Sequence, residues 1–257
     1  MHGLLLAIAL STTPSSEELR AAWRRLAESA GHLLCLSLPA VSDDEWSDLG
    51  RGNTITRRFR PADSPIHRVL AMRYIDQPPA AMWLAILDGA HADLPREITT
   101  WQLPGAAGTE RELYTRLDLP FPISNRHWII GGQSNAALYR ATAGAAWERS
   151  WGLDPRGEAA LLDLPTSLQE AGADAIWTPH NHGAWLLLAV GWGTLAVYQL
   201  ETDIGGWLPE NLVSRYAEWM LNTLLDKTGK LADRAPMHYA AGHKPIYAPD
   251  GTAVPPY

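Results

Sequence analysis

Apolar and polar residues alternate along many short stretches of this chain, and a period of two is the pattern of β-strands. The pattern predicts nine strands, at 53–59, 66–75, 96–103, 110–117, 127–133, 147–153, 173–178, 183–190 and 194–202. Turn residues separate these stretches. Short strands joined by turns predict an antiparallel meander.

Two segments in the first third of the chain have the helical period instead. Residues 15–30 begin with Ser15 as an N-cap and then place apolar residues three and four positions apart. A second helix is predicted over 80–87. It follows Pro78, and proline is tolerated in the first turn of a helix, where its missing N–H costs little.

The clearest helical pattern lies near the C-terminus, from 208–210 to about Lys227. Its apolar residues form one broad stripe made of Leu212, Val213, Tyr216, Trp219, Met220 and Leu224. We expect this stripe to pack on the sheet, because the sheet is the only large apolar partner available. A sheet curved around one helix cannot close tightly along its whole length, so it tends to leave a cavity lined by alternate strand residues.

Three stretches of the chain resemble a known superfamily. The sequence LPFPISNR at 119–126, followed by HWII, is similar to the turn that leads into a central strand of START domains. The sequence TDIGGWLP at 202–209 is similar to their junction between the last strand and the last helix. The sequence IDQPPAAMW at 75–83 is similar to their strand-to-helix entry. Together these stretches make the chain resemble the START / Bet v 1-like (SRPBCC) superfamily.

The resemblance implies an α+β helix-grip fold, in which a curved antiparallel sheet wraps around a long C-terminal helix and encloses a cavity. It divides the chain into an N-terminal extension with a helix (1–50), a START-like domain (51–230) and a C-terminal tail (231–257). We expect the tail to be loosely ordered, because it is polar and rich in proline.

The resemblance also implies binding, and with it transport, of a lipid, sterol or other hydrophobic small molecule. The alternative on the same fold is an enzyme of the polyketide cyclase or dehydratase type, since a fold alone does not decide function. A third hypothesis is a structural module with a filled interior. The favoured interpretation is a non-catalytic binding protein with no cofactor, no obligate protein partner and transient membrane contact.

The amino-acid composition restricts the class of molecule that the chain is expected to bind. The chain has a formal net charge of −7, which argues against nucleic-acid binding because that requires clustered Lys and Arg. It contains twelve Trp and eight Tyr but only two Phe. Trp and Tyr join a large apolar body to a polar tip, and this combination suits the wall of a ligand pocket.

The compartment is less clearly indicated. The single cysteine, Cys35, cannot form a disulfide within the chain. The apolar run at 4–10 resembles the core of a signal peptide but lacks a basic start and a small-residue cleavage site. A cytoplasmic location is therefore favoured over export. No apolar run reaches the roughly 20 residues of a membrane-spanning helix.

The candidate site residues lie on the predicted strands and the last helix. We expect part of an aromatic and apolar set to line the cavity: Tyr114, Trp128, Tyr139, Trp147, Trp185, Tyr198, Tyr216 and Met220. Two arginines complete the candidates. Arg126 can be a polar anchor for a ligand or can form a salt bridge to Asp118 or Glu148. Arg149 shares one strand face with Trp147 and Trp151, while Glu148 points to the other face.

Metal binding and nucleophilic catalysis have weaker signals in the sequence. His180 and His182 have the spacing that puts two rings on one side of a strand, but two histidines alone do not make a metal site. Ser134 lacks the sequence context of a nucleophile elbow. No catalytic residue and no metal ligand is predicted.

Overall fold

The structure is a computed structural model that describes residues 13–34, 38–61, 64, 66–88, 97–104, 110–203, 205 and 210–255, of which 210–218 only in their backbone. The helices are α1 (Ser16–Glu28), α2 (Asp43–Gly50), α3 (Pro79–Leu87), α4 (Ala136–Ala141), α5 (Thr166–Ala171), α6 (Glu210–Asp233) and α7 (Ala235–His238). Two short 3-10 helices span Ala30–His32 and Gly157–Asp163. The strands are β1 (Ile55–Phe59), β2 (Arg68–Ile75), β3 (Ile98–Gln102), β4 (Arg111–Leu117), β5 (Asn125–Ser134), β6 (Ala146–Leu153), β7 (Ala175–Trp177), β8 (His180–Val190) and β9 (Gly193–Asp203).

The strands form one curved sheet in the order β1-β2-β9-β8-β6-β5-β4-β3. Strand β7 lies beside β5 and runs parallel to it, whereas the neighbours along the main order are antiparallel. All nine predicted strands are present. The α+β helix-grip architecture, a large antiparallel sheet with a long C-terminal helix, is confirmed.

One face of the sheet, called the inner face below, packs against α3 and α6. Ala71, Leu187 and Tyr198 from three different strands lie here in one core with Trp83 of α3 and Leu221 of α6. Alternate residues of a strand point to the same face. The inner face is therefore built from every second residue of each strand.

The opposite face, called the outer face, packs against α1 and α2. Leu70, Leu186 and Val197 lie in this second core with Trp23 and Trp46, whose rings meet edge to face at 6.3 Å. The helix predicted in the N-terminal extension is thus present, and it covers one side of the sheet.

A buried carboxylate fastens the segment that follows α1. Glu148 on β6 is fully buried on the outer face. It accepts a hydrogen bond from the Leu34 N–H at 3.0 Å and one from the Asn135 side-chain amide at 2.5 Å. The same amide donates to the His32 carbonyl oxygen at 2.6 Å. These bonds satisfy a charge that would otherwise be costly to bury.

The sequence analysis missed several helices. Helix α2 lies just before the strand predicted at 53–59, where no helix was predicted. Its signal was present in the sequence, because Ser42 and Glu45 form a capping box in which each side chain bonds the other residue's backbone N–H. Helices α4 and α5 have six residues each, which is too short for a hydrophobic period to be recognised.

The C-terminal segment differs from the expectation of a loosely ordered tail. Helix α6 continues to Asp233, and the chain then packs back against α3. Tyr239, Ile246 and Val254 are buried in the inner core. The Trp83 indole N–H donates to the Tyr247 carbonyl oxygen at 2.9 Å. The apolar residues of this segment are few, and Tyr239, Ile246 and Val254 among them cover the helix layer.

This packing predicts unequal effects for two apolar residues of the segment. Ile246 is 5% exposed and Met237 is 68% exposed. Ile246→Ala should lower the free energy of unfolding by about 2–4 kcal/mol because it removes buried methylenes and leaves a cavity. The matched Met237→Ala should change it by less than about 0.5 kcal/mol. Urea denaturation of both variants is the measurement, and equal small effects would mean that the segment is not packed.

Candidate functional site

Aromatic side chains from three strands meet on the inner face. The Trp185 and Tyr198 rings are 4.8 Å apart and edge to face. The Trp147 ring meets the Tyr139 ring at 5.2 Å in the same manner. Met220 of α6 packs against the same core. The structure thus brings together five of the predicted lining residues on one face of the sheet.

Trp151 extends this cluster although it was not among the predicted lining residues. Its ring lies 5.3 Å from that of Tyr198, and its indole N–H donates to the Asn181 side-chain oxygen at 3.0 Å. A Cβ on Gly183, the residue opposite Trp151 on β8, would overlap the Trp151 ring. The absence of a side chain at Gly183 therefore lets the indole lie against the sheet.

Polar groups also face this side. Burial raises the pKa of the Tyr198 hydroxyl, so it stays protonated and able to donate a hydrogen bond at neutral pH. Arg149, opposite Trp185 in the strand register, is 7% exposed. Burial, reinforced by the nearby Arg111, lowers the pKa of Arg149 to about 10. At neutral pH the inner face therefore holds a cationic donor beside the aromatic cluster.

Arg126 and Trp128 lie on the inner face of β5, toward its beginning. Trp128 is half-buried. The Arg126 guanidinium donates to the Ser124 carbonyl oxygen at 2.5 Å and to the Gly205 carbonyl oxygen at 2.9 Å. Of the two suggested salt-bridge partners, Asp118 is bound by Arg116, and Glu148 lies on the outer face. Arg126 therefore connects the turn before β5 to the residue that leads toward α6.

Two predicted lining residues are not placed on the inner face by the described side chains. Tyr114 lies on the outer face, where it is fully buried against Trp101 and donates to or accepts from His127 Nδ1 at 3.1 Å. The strand register puts it on the side opposite Trp185. The side chain of Tyr216 lies outside the described part of the chain, so its predicted role stays a prediction.

His180 and His182 lie on the outer face at the N-terminal end of β8. The His180 and His182 rings are 6.5 Å apart, and His180 Nε2 lies 3.3 Å from a Glu201 oxygen that also binds Ser64. Within the described residues, no group of three or more His, Cys, Asp or Glu is arranged to hold a metal ion.

Sequence reasoning missed Trp83, Trp151, Arg111 and Gly132 as parts of this side of the protein. For Trp151 the signal was available, because it shares a strand face with Trp147. For Gly132 and Arg111 no local signal exists. Their relation to Arg149 depends on the pairing of three strands, which a sequence does not display.

Comparison with solved structures identifies the fold. The chain superposes on a STAR-related lipid transfer protein from Xanthomonas axonopodis with a TM-score of 0.54 at 18% identity, covering 77% of this chain and 98% of that one. Human STARD10 gives 0.56 at 14% identity, covering 93% and 87%. Human StAR-related lipid transfer protein 5 gives 0.56 at 12% identity, covering 85% and 98%.

The chain has the START-like helix-grip fold. No protein-family model matches the sequence, and no curated protein matches it either. The predicted resemblance is therefore confirmed at the level of the fold, through structure and not through sequence. None of the helices in the described residues combines the length and the apolar character of a membrane span.

The position of Arg126 predicts a structural effect on substitution. Arg126→Met removes charge-assisted bonds to the Ser124, Asn125 and Gly205 carbonyl oxygens and should lower the free energy of unfolding by about 2–3 kcal/mol. The exposed Arg140 offers a matched control, since Arg140→Met breaks no buried bond. Hydrogen exchange should also accelerate at the Gly205 amide. An unchanged stability together with weaker ligand binding would instead support the anchor role.

Proposed function

We propose that this protein binds a lipid or similar hydrophobic small molecule between the inner face of its sheet and the helices α3 and α6. The observation that carries the proposal is the cluster of Trp147, Trp151, Trp185 and Tyr198 on that face of a START-like fold, in which Trp151 is half-buried and the other three are buried. A ligand that leaves water for this environment gains about 25 cal/mol per Å² of apolar area buried.

The lipid-transfer function named for the similar solved structures supports the same proposal by analogy of fold. At about 12–18% identity the likeness shows the fold alone. The argument therefore rests on the chemistry of the inner face, where large aromatic rings lie beside a few donors. This combination is typical of ligand sites, in which apolar walls give affinity and a few polar groups give orientation.

Binding is favoured over cyclase or dehydratase chemistry by the kind of titratable groups on the inner face. The strands place arginines and Tyr198 there, and the pKa of Tyr198 is raised by burial. Such groups donate hydrogen bonds at neutral pH. A general base needs a pKa nearer the working pH. The inner face is thus better suited to orienting a ligand than to accepting a proton from it.

For a ligand to enter or leave, part of the layer that covers the inner face must move. The inner face is closed by α3, α6 and the C-terminal segment. Gly205, which precedes α6, has a left-handed φ of +68°, a conformation that glycine adopts without strain. We propose that displacement of α6 about this junction admits the ligand, and that transient contact with a membrane supplies it.

A paramagnetic probe tests where the ligand lies. We expect the neutral methyl ester of 12-doxylstearic acid to broaden the indole N–H signals of Trp147, Trp151 and Trp185 in the NMR spectrum of the tryptophan-labelled protein. The signals of Trp23 and Trp46, on the outer face, should be broadened much less.

The same sample after reduction of the spin label with ascorbate is the diamagnetic control. Trp→Phe variants assign the signals. Preferential broadening of the outer-face pair, or no broadening at a saturating probe concentration, would overturn the proposed site.

A further inference from the structure

The outer face of the sheet is covered in two separate parts. Helices α1 and α2 pack over β1, β2, β8 and β9, where Leu186 is buried. The 3-10 helix Gly157–Asp163 and α5 pack over the other end of the sheet, where Ala160 lies in one core with Tyr114 and Ile129. Next to both parts, over β4, β5 and β6, the outer face has a hollow of about 650 Å³, a size typical of small-molecule sites. It is called the outer hollow below.

Two glycines form the floor of the outer hollow. Gly131 on β5 and Gly152 on β6 are paired, and both line the hollow. A Cβ on Gly131 would meet nothing within 4 Å, and one on Gly152 would meet only the His182 ring, at 3.8 Å. Glu112 on β4 pairs with Gly131 on the other side. Because neighbouring strands lie about 4.8 Å apart, Glu112 and His182 stand on opposite sides of a trough that is two strands wide.

Three polar side chains around this floor lack partners within the protein. Glu112, Gln133 and Ser150 line the hollow, and the strand register points them to the outer face. Among the described residues, these side chains form no hydrogen bond and no ion pair. Ser150 is 3% exposed, and a buried hydroxyl without a partner is costly. The hollow therefore presents hydrogen-bonding groups that a polar ligand would satisfy.

Two carboxylates give the outer hollow a negative charge. Glu110 and Glu112 both line it, and neither is ion-paired to a residue in the described part of the chain. Arg156 interacts electrostatically with Glu112, but its guanidinium already binds Asp154 at 2.7 Å and Asp163 at 2.5 Å. A cleft lined by one sign of charge attracts ligands of the opposite sign.

The basic residues that line the hollow leave this negative charge in place. The register points the side chain of Arg111 to the inner face, and its guanidinium donates to the Leu87 carbonyl oxygen. Burial, reinforced by the nearby His180, lowers the pKa of His182, although Glu201 opposes the shift. The His182 ring is therefore neutral at neutral pH, and it offers one hydrogen-bond donor and one acceptor.

We propose that the outer hollow binds a small organic cation, a primary amine that also carries hydroxyl groups, with its ammonium group beside Glu112 and its hydroxyl groups beside Ser150 and Gln133. An ammonium group donates charge-assisted hydrogen bonds to a carboxylate. Hydroxyl groups both donate and accept, which matches the serine hydroxyl, the glutamine amide and the neutral imidazole. This site is separate from the inner face, so the inference goes beyond the proposed function.

Matched probes test the requirement for a positive charge. D-glucosamine and D-glucose share one ring and differ by an ammonium group in place of a hydroxyl, and D-glucamine and D-sorbitol are an open-chain pair of the same kind. We expect at least one of the two amines to shift the Gly131 and Gly152 amide signals in the NMR spectrum of the isotopically labelled protein, with a dissociation constant in the millimolar range or lower. Its neutral counterpart should bind about tenfold more weakly or worse, because it cannot form the charge-assisted bond.

A charge-neutral variant assigns the preference to the carboxylate. Glu112→Gln keeps the shape of the side chain and should weaken binding of the amine about tenfold. The melting temperature should stay unchanged, because the carboxylate has no partner among the described residues. The exposed Glu170 on α5 is the matched control. Glu170→Gln changes the net charge of the chain by the same amount and should leave the affinity for the amine unaltered.

A second variant fills the hollow without altering any charge. The side chain of Gly131→Val would enter the open space above the floor, and valine is favoured in strands, so the protein should still fold. We expect the amine no longer to shift the Gly152 amide signal of this variant.

Several outcomes would overturn the proposed cation site. These are the absence of a shift with either amine at its solubility limit, equal affinity for an amine and its neutral counterpart, and unchanged binding to the folded Gly131→Val protein. Equal weakening by Glu112→Gln and Glu170→Gln would also overturn it, because the acidic protein would then attract cations without a specific site. None of these results bears on the proposed hydrophobic ligand, which lies on the opposite face of the sheet.

Discussion

The alternation of side chains across a sheet that is covered on both faces is the constraint on which this structure depends. A sheet with one wet face can put its charges in water, but here both faces pack against other elements. Every charged strand residue near the middle of the sheet must therefore find buried partners. In the described strands the carboxylates, such as Glu148, point outward. Arginines lie on both faces, Arg68 on the outer one and Arg149 on the inner one.

The two faces use their charges differently. On the outer face Glu148 accepts bonds from Leu34 and Asn135 and holds the segment after α1 against the sheet. Glu201 likewise binds Arg68 at 2.8 Å. These pairs are internal to the fold. On the inner face the Arg149 guanidinium lies over Gly132, beside the aromatic cluster.

Two glycines leave room for large side chains on the inner face. A side chain on Gly132 would occupy the place of the Arg149 guanidinium, and one on Gly183 would occupy that of the Trp151 ring. Because both positions lack a side chain, the neighbouring Arg149 and Trp151 side chains lie across them. The inner surface is thus lined by flat aromatic and guanidinium groups, which can contact an extended apolar chain over a large area.

Much of the fold was predictable from sequence because its signals are local. The period of two located all nine strands, and the same period placed Trp147 and Arg149 on one face and Glu148 on the other. Two kinds of feature were not predictable. Short helices such as α4 and α5 carry no measurable period, and the C-terminal segment owes its order to contacts with distant α3.

The site was less predictable than the fold for the same reason. Tyr114 is an aromatic residue of the type that lines ligand pockets, but it lies on the outer face. The face that a residue occupies relative to those of neighbouring strands is fixed only by the register of the strands. The pairing of Arg111, Gly132 and Arg149 likewise requires knowledge of which strands are neighbours. Aromatic composition predicted Trp147, Trp185 and Tyr198 as lining residues, and the structure places them in one cluster.

The central claim is that the inner face holds one hydrophobic ligand, and native mass spectrometry tests it most directly. The folded protein would be equilibrated with a total lipid extract, separated from free lipid, and analysed intact and after release of what it carries. The account predicts one bound molecule per chain, a lipid or similar hydrophobic small molecule. A folded protein that retains nothing, or that binds lipids in a broad unsaturable series, would contradict it.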